Sequence, residues 1–235
     1  MMEFEIENGG LWIVGSLIII AVSFIIWKRC KDIVLLKTVT DLHRGTWSER
    51  KLVLKLLKHG IPASTIFHDL YVQKPNGSYS QVDVVVATKV GIIVFEVKDY
   101  SGWIFGKGHQ THWTQVLAYG KEKYRFYNPV MQNNGHIEAL KQKLKDFADV
   151  PFYSVIVFYG NCVLKDVSYI PDEVSYGEPE RVPKIINVIL ASGTPASYAS
   201  KIGVFNVLRD AVLNGGDDEI RAQHIRNAHY AAPVR

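Results

Sequence analysis

Cysteine is scarce in this sequence: Cys30 and Cys162 are the two in 235 residues. Two thiols exclude a disulfide-knit scaffold and a four-cysteine zinc site. No stretch reads G-x-x-x-x-G-K-[ST], so ATP hydrolysis by this chain is not expected. No internal period of the kind that builds solenoids or propellers runs through it. Glycine (18) and proline (9) stay at ordinary levels, and 48% hydrophobic against 21% charged residues excludes wholesale disorder. A net charge of +4 argues against a heavily basic nucleic-acid coat and leaves a mild affinity for polyanions.

Charge is missing altogether from Gly9 to Trp27, and Leu11 to Trp27 reads LWIVGSLIIIAVSFIIW. At about 1.5 Å per residue the uncharged run spans roughly 28 Å as a helix, close to a ~30 Å hydrocarbon core. Trp12 and Trp27 fall near its ends, where indole rings favour the membrane interface. The residues before it hold Glu3, Glu5 and Glu7 and no lysine or arginine, the opposite of a signal-peptide start. Those after it hold Lys28, Arg29, Lys31 and Lys37 against Asp32. The positive-inside rule then predicts a single-pass anchor in the inner (cytoplasmic) membrane, N-terminus out and C-terminal part in the cytoplasm. This gives residues 1–10 as a short outer segment, 11–27 as the transmembrane helix and 28–43 as a basic linker.

The remainder reads as mixed α/β. Trp47 to His59 has apolar residues at helical spacing, stopped by Gly60 and Pro62. Strand patterns cover 65–72, 79–87 and 91–98, and shorter aromatic strands surround Trp103 and Trp113. A helix opens at Asn128-Pro129 and runs to about Phe147. A strand follows over 151–160, a strand-like run over 184–190, and two helices over 197–213 and 218–230. The expectation is one sheet with flanking helices.

The chemistry concentrates in the pair 79–87 and 91–98. With a tight turn at Thr88 to Gly91, antiparallel partners sum to 179, which sets Asp83 opposite Glu96 amid valine, isoleucine and phenylalanine. Facing like charges are destabilising unless a cation joins them or one holds a proton. Lys98 lies two residues past Glu96, on the same strand face. Spacing alone leaves two readings open: a site for a hard, oxygen-seeking cation, or a solvent-facing charged strip with Lys98 as counter-ion. Trp103, Trp113, Tyr124 and Phe126 are open to base stacking or to core packing. His109 and His112 lack a nearby cysteine or acidic partner for zinc.

Asp83-x12-Glu96-x-Lys98 is similar to the D-x(n)-(D/E)-x-K signature of the restriction-endonuclease-like PD-(D/E)xK nucleases. TWSERKLV (46–53), the stretch 80–106, HWTQ (112–115) and NPVMQNNGHIEALKQKL (128–144) resemble one branch of them, the nuclease-related domain or NERD. The family tends to have Gly before its first-helix glutamate, where Ser48 stands here, and Pro before the Asp, where Val82 stands. The resemblance implies a NERD-like domain over 44–160 with a restriction-endonuclease-like mixed sheet, followed by an α/β extension over 161–235. It implies Mg²⁺ (or Mn²⁺) on Asp83, Glu96 and the Val97 carbonyl, with Lys98, Glu49 and Gln132 completing a catalytic set. Gln132-x3-His136 departs from the Gln-x3-Tyr of related exonucleases. The expected activity is a membrane-anchored, Mg-dependent nuclease acting on nucleic acid, DNA before RNA. The alternative is a silent nucleic-acid-binding or scaffold module tethered to the membrane.

Overall fold

The computed structural model describes residues 3–147 and 149–231; the first two and last four residues of the expected segments lie outside it. The first helix, α1, spans Glu3–Leu36. Its stretch Trp12–Leu36 is the one helix among the described residues long and apolar enough to cross a membrane. Its large side chains from Trp12 to Trp27 are left exposed by the other described residues; Trp12 is 78% and Trp27 51% exposed. The expected linker is helical as far as Leu36, because 28–36 contains neither Gly nor Pro. Leu36 itself docks into the core beside Leu52, Val53 and Leu56, and Lys58 pairs with Asp32 at 2.6 Å.

Helix α2 (Trp47–Lys58) begins at the cap Thr46, whose hydroxyl accepts from the Glu49 amide, as T-x-x-E foretells. Strands β1 (Ile66–Gln73), β2 (Tyr79–Thr88) and β3 (Gly91–Asp99) form an antiparallel meander. β4 (Gly102–Lys107), β5 (His112–Leu117) and β6 (Glu122–Tyr127) follow, then α3 (Pro129–Leu144). β7 (Phe152–Tyr159), β8 (Cys162–Ser168), β9 (Val174–Gly177), α4 (Val182–Ser192), α5 (Lys201–Asn214) and α6 (Asp218–Ala231) complete the chain.

Two mixed sheets result where one was expected: β1-β2-β3-β7-β9, and β6-β5-β4-β8. Gly102 (φ 76°) and Gly160 (φ 80°) sit where the chain passes from β3 to β4 and from β7 to β8, hence from the first sheet to the second. Each takes a left-handed conformation that costs glycine little. The run 184–190 is helical, not extended. Val182, Ile186 and Ile189 are the buried residues of α4, which contains this run, a spacing that suits a helix, and a proline sits in the first turn of α4. The run's β-branched composition had suggested a strand.

Apolar residues separate by face of the first sheet. Val84, Val86, Ile93 and Phe95 pack with Leu52, Val53 and Leu56 of α2 and Val182, Ile186 and Ile189 of α4. Val85, Ile92 and Val94 pack with Ile137, Leu140 and Leu144 of α3 and Val204 and Leu208 of α5. A third cluster, Ile104, Trp113, Val130, Ile156 and Phe158, joins the second sheet to the first.

Candidate functional site

Register explains where the charged residues meet. Val84 pairs with Phe95 and Val85 with Val94, the expected sum of 179, but the ladder ends at Val84 and Asp83 has no paired partner. Asp83 Oδ2 instead accepts a hydrogen bond from the Val97 amide at 2.8 Å. The pleat of β2 also breaks at this point. Val84 belongs to the α2-side cluster, while Val82, two residues away, belongs to the α3-side cluster; a regular strand would keep them on one face. On β1 the matching residue, Asp69, has φ 55°, between the pairs His68–Val84 and Leu70–Val82. Arg44 holds Asp69 there through its carboxylate (3.3 Å) and carbonyl (2.8 Å), and Gln81 donates to it at 3.2 Å. At this break Asp83 lies within electrostatic reach of Glu96, Glu49 and Lys98.

On the α3 side, Glu96 is 1% exposed. Its Oε1 meets the Lys98 ammonium at 2.7 Å and its Oε2 meets His136 Nε2 at 3.1 Å. Lys98 donates also to Gln132 Oε1 at 2.9 Å. Gln132 and His136, four residues apart on α3, thus hold the two side chains that lie two apart on β3. The helix is placed by Asn128, whose Oδ1 caps Val130 N and whose Nδ2 reaches the Gly108 and Gln110 carbonyls of the β4–β5 turn. His136 Nδ1 meets Ser80 Oγ at 2.8 Å, giving the chain Ser80–His136–Glu96.

A second chain of the same make stands on the α2 side. Thr40 Oγ1 meets His68 Nδ1 at 2.7 Å, and His68 Nε2 meets Glu49 Oε2 at 3.2 Å. Thr46 donates to Glu49 Oε1 at 2.7 Å. Gly45 (φ 58°) makes room: a Cβ there would fall onto Glu49 Oε2 and the His68 ring.

Electrostatics sets the carboxylates apart. Burial, then Glu96 and Glu49, push the Asp83 carboxyl well above its ordinary value, beyond what Lys98 and the Val97 amide recover. Burial opposes charge on Glu96 too, but Lys98 and His136 outweigh it and hold that carboxyl low. Glu49 is likewise held low by His68 and Thr46 against its burial. Burial works against the charge on Lys98, yet Glu96 and Asp83 raise its pKa.

The donor set suits a hard divalent cation. Asp83 is half-buried, and its Oδ1 accepts no hydrogen bond from the described residues. A carboxyl pushed up by burial and by two neighbouring carboxylates is one whose charge a bound cation would favour. Among the described residues no three His, Cys, Asp or Glu side chains form a metal-holding group. Two carboxylates with a backbone carbonyl fit an ion that keeps several of its waters, as Mg²⁺ does.

The fold therefore brings Asp83, Glu96, Lys98 and Gln132 together, with Glu49 close behind Asp83. Sequence reasoning missed the supports Thr40, His68, Ser80 and Gly45. His136 had a legible signal, its i+4 spacing from Gln132. Trp113 is 1% exposed and stacked on Phe158 (6.1 Å, 6°), so it is core and not a base platform. His109 and His112 pack against different tyrosines, Tyr169 and Tyr127.

An uncharacterized protein of Bacillus anthracis is 32% identical over 137 residues, covering 57% of this chain and 63% of that protein's length. The chain thus spans less than two thirds of that relative. No solved structure matches the chain. Residues 44–159, the segment that holds all of the converging side chains, match the family model described as the nuclease-related domain, NERD.

Proposed function

We propose that this protein is a Mg²⁺-dependent nuclease, acting on DNA at the cytoplasmic face of the membrane in which α1 anchors it. The observation that supports this most is the meeting of Asp83, Glu96 and Lys98 at the frayed end of the β2–β3 ladder. Asp83 and Glu96 would hold the cation, helped by the Val97 carbonyl. Mg²⁺ would supply Lewis acidity toward a phosphodiester oxygen and lower the pKa of a bound water. Lys98, fixed by Glu96 and Gln132, presents its ammonium to charge developing on the phosphoryl oxygens. Glu49, held by His68 and Thr46, orients water from the α2 side.

The test is cleavage of plasmid and linear DNA by the full-length protein in detergent, with Mg²⁺, with Mn²⁺ and with EDTA. Divalent-dependent cleavage lost in Lys98→Ala is the expected result. A folded wild type that cleaves neither DNA nor RNA would leave a binding or scaffold module. For the anchor, a C-terminal reporter should be cytoplasmic and the chain should stay with the membrane pellet after carbonate extraction; a periplasmic reporter would reverse the orientation.

A further inference from the structure

Among the described residues β6 pairs with β5 alone and forms an edge of the second sheet; it reads Glu122-Lys123-Tyr124-Arg125-Phe126-Tyr127 with Lys121 just ahead. Register divides its side chains. Tyr124 stands opposite Gln115, which stands opposite Ile104; Phe126 stands opposite Trp113. Tyr124 and Phe126 therefore share the face turned toward the first sheet, and Lys123 and Arg125 point the other way.

Phe126 lies against Tyr100, with ring centroids 4.5 Å apart at 44°. Tyr100 is two residues past Lys98, and its hydroxyl lies in the field of Lys98 and Glu96. Both rings are half-buried, whereas Tyr124 is 48% exposed. Tyr124 and Phe126 on one face of β6, with Tyr100 against Phe126, thus make an aromatic row that ends two residues past Lys98. Lys121, Lys123 and Arg125 are exposed on the same strand or beside it and make no ion pair among the described residues.

We propose that the β6 edge carries a single strand of nucleic acid into the site, its bases against Tyr124, Phe126 and Tyr100 and its phosphates against Lys121, Lys123 and Arg125. This rests on the nuclease reading above and narrows its substrate. Base faces stack on aromatic rings only when they are free of a duplex, and a basic flank tracks the backbone without reading sequence. The partner chemistry follows from this alternation: an acidic peptide would use the cations but not the rings, and an apolar partner the rings but not the cations.

Fluorescence anisotropy tests it, with full-length protein in detergent, a labelled oligothymidylate and a blunt duplex, in EDTA so that binding is read without cleavage. Single strands should bind more tightly than the duplex. Tyr124→Ala should weaken single-strand binding about tenfold, with the melting temperature kept, and Tyr124→Trp should restore it. Arg125→Gln should lower the slope of log affinity against log salt by about one. A wild type that cleaves DNA but whose single-strand affinity is untouched by Tyr124→Ala, or that prefers duplex, overturns this proposal and leaves the nuclease reading standing. A wild type that neither binds nor cleaves any nucleic acid overturns both.

Discussion

On the α2 side of Asp83, Glu49 is held by Thr46 and by His68, which Thr40 holds in turn; on the α3 side, Glu96 is held by Lys98 and by His136, which Ser80 holds. Each is a hydroxyl–imidazole–carboxylate chain reaching in from a different layer. They differ in one partner. Glu96 has an ammonium at 2.7 Å, which is shared with Gln132 and stands near Asp83, whereas the other donor to Glu49 is a neutral hydroxyl. A neutral clamp fixes a carboxylate without balancing its charge. An ion pair balances it and leaves a cation at hand for a phosphate. Under the proposed function this difference would set Glu96 at the reacting centre and Glu49 behind it, although both are almost fully buried.

The largest effect should come from removing that ammonium. Lys98→Met leaves Glu96 buried with His136 alone, and should cost about 3 kcal/mol in chemical denaturation of the metal-free protein. It should also lower cleavage by about 10²- to 10³-fold. Glu49→Gln removes no ion pair with lysine or arginine and should cost about 1 kcal/mol. Equal costs for the two would erase the distinction drawn between the flanks.

The histidines sharpen it next. His136 orients the carboxylate proposed as a ligand, so His136→Gln should weaken Mn²⁺ binding about 10- to 100-fold by calorimetric titration. His68→Gln should leave that affinity near wild type while still lowering the melting temperature. Weakened binding in the second variant and not in the first would exchange the roles of Glu49 and Glu96.

Asp83 gives a smaller effect with a definite sign. Its folded-state carboxyl sits above the unfolded value, so the native state holds that proton more tightly. Metal-free wild type must then lose stability as pH rises from about 4 through the raised value. Asp83→Asn keeps an acceptor for the Val97 amide and removes the charge facing Glu96. It should gain about 1 kcal/mol near neutral pH, and the gain should shrink toward zero near pH 4. A gain that does not vary with pH would mean that charge is not its source.

The last effect concerns the domain edge. A chain starting at Asp41 lacks Leu36 from the core and Thr40 from the α2-side histidine chain. It should be less stable than one starting at Asp32, and Thr40→Val alone should account for about 1 kcal/mol of the loss.

The sequence was most legible where periodicity and pairing act locally. The 179 register of β2 and β3, the Thr46 and Asn128 caps and the Gln132 helix all follow from patterns a few residues long. Glu96 and Lys98 could be set on one face because a strand alternates. The break at Asp69 and Asp83 was not legible, since it depends on Arg44 and Gln81 gripping a left-handed residue from other segments. Thr40 and His68 are 28 residues apart, and Ser80 and His136 are 56 apart, so no local rule joins them. The second sheet was hidden because β6 alternates charge with aromatics, as an exposed edge does, rather than following an apolar pattern.

Under the proposed function Asp83 and Glu96 together hold a divalent cation. Anomalous diffraction from crystals of the full chain soaked in Mn²⁺ reads this directly. One peak between the two carboxylates, present in wild type and absent in Asp83→Asn, is the predicted result. A peak elsewhere, or one that persists at the same place without the Asp83 charge, would contradict it.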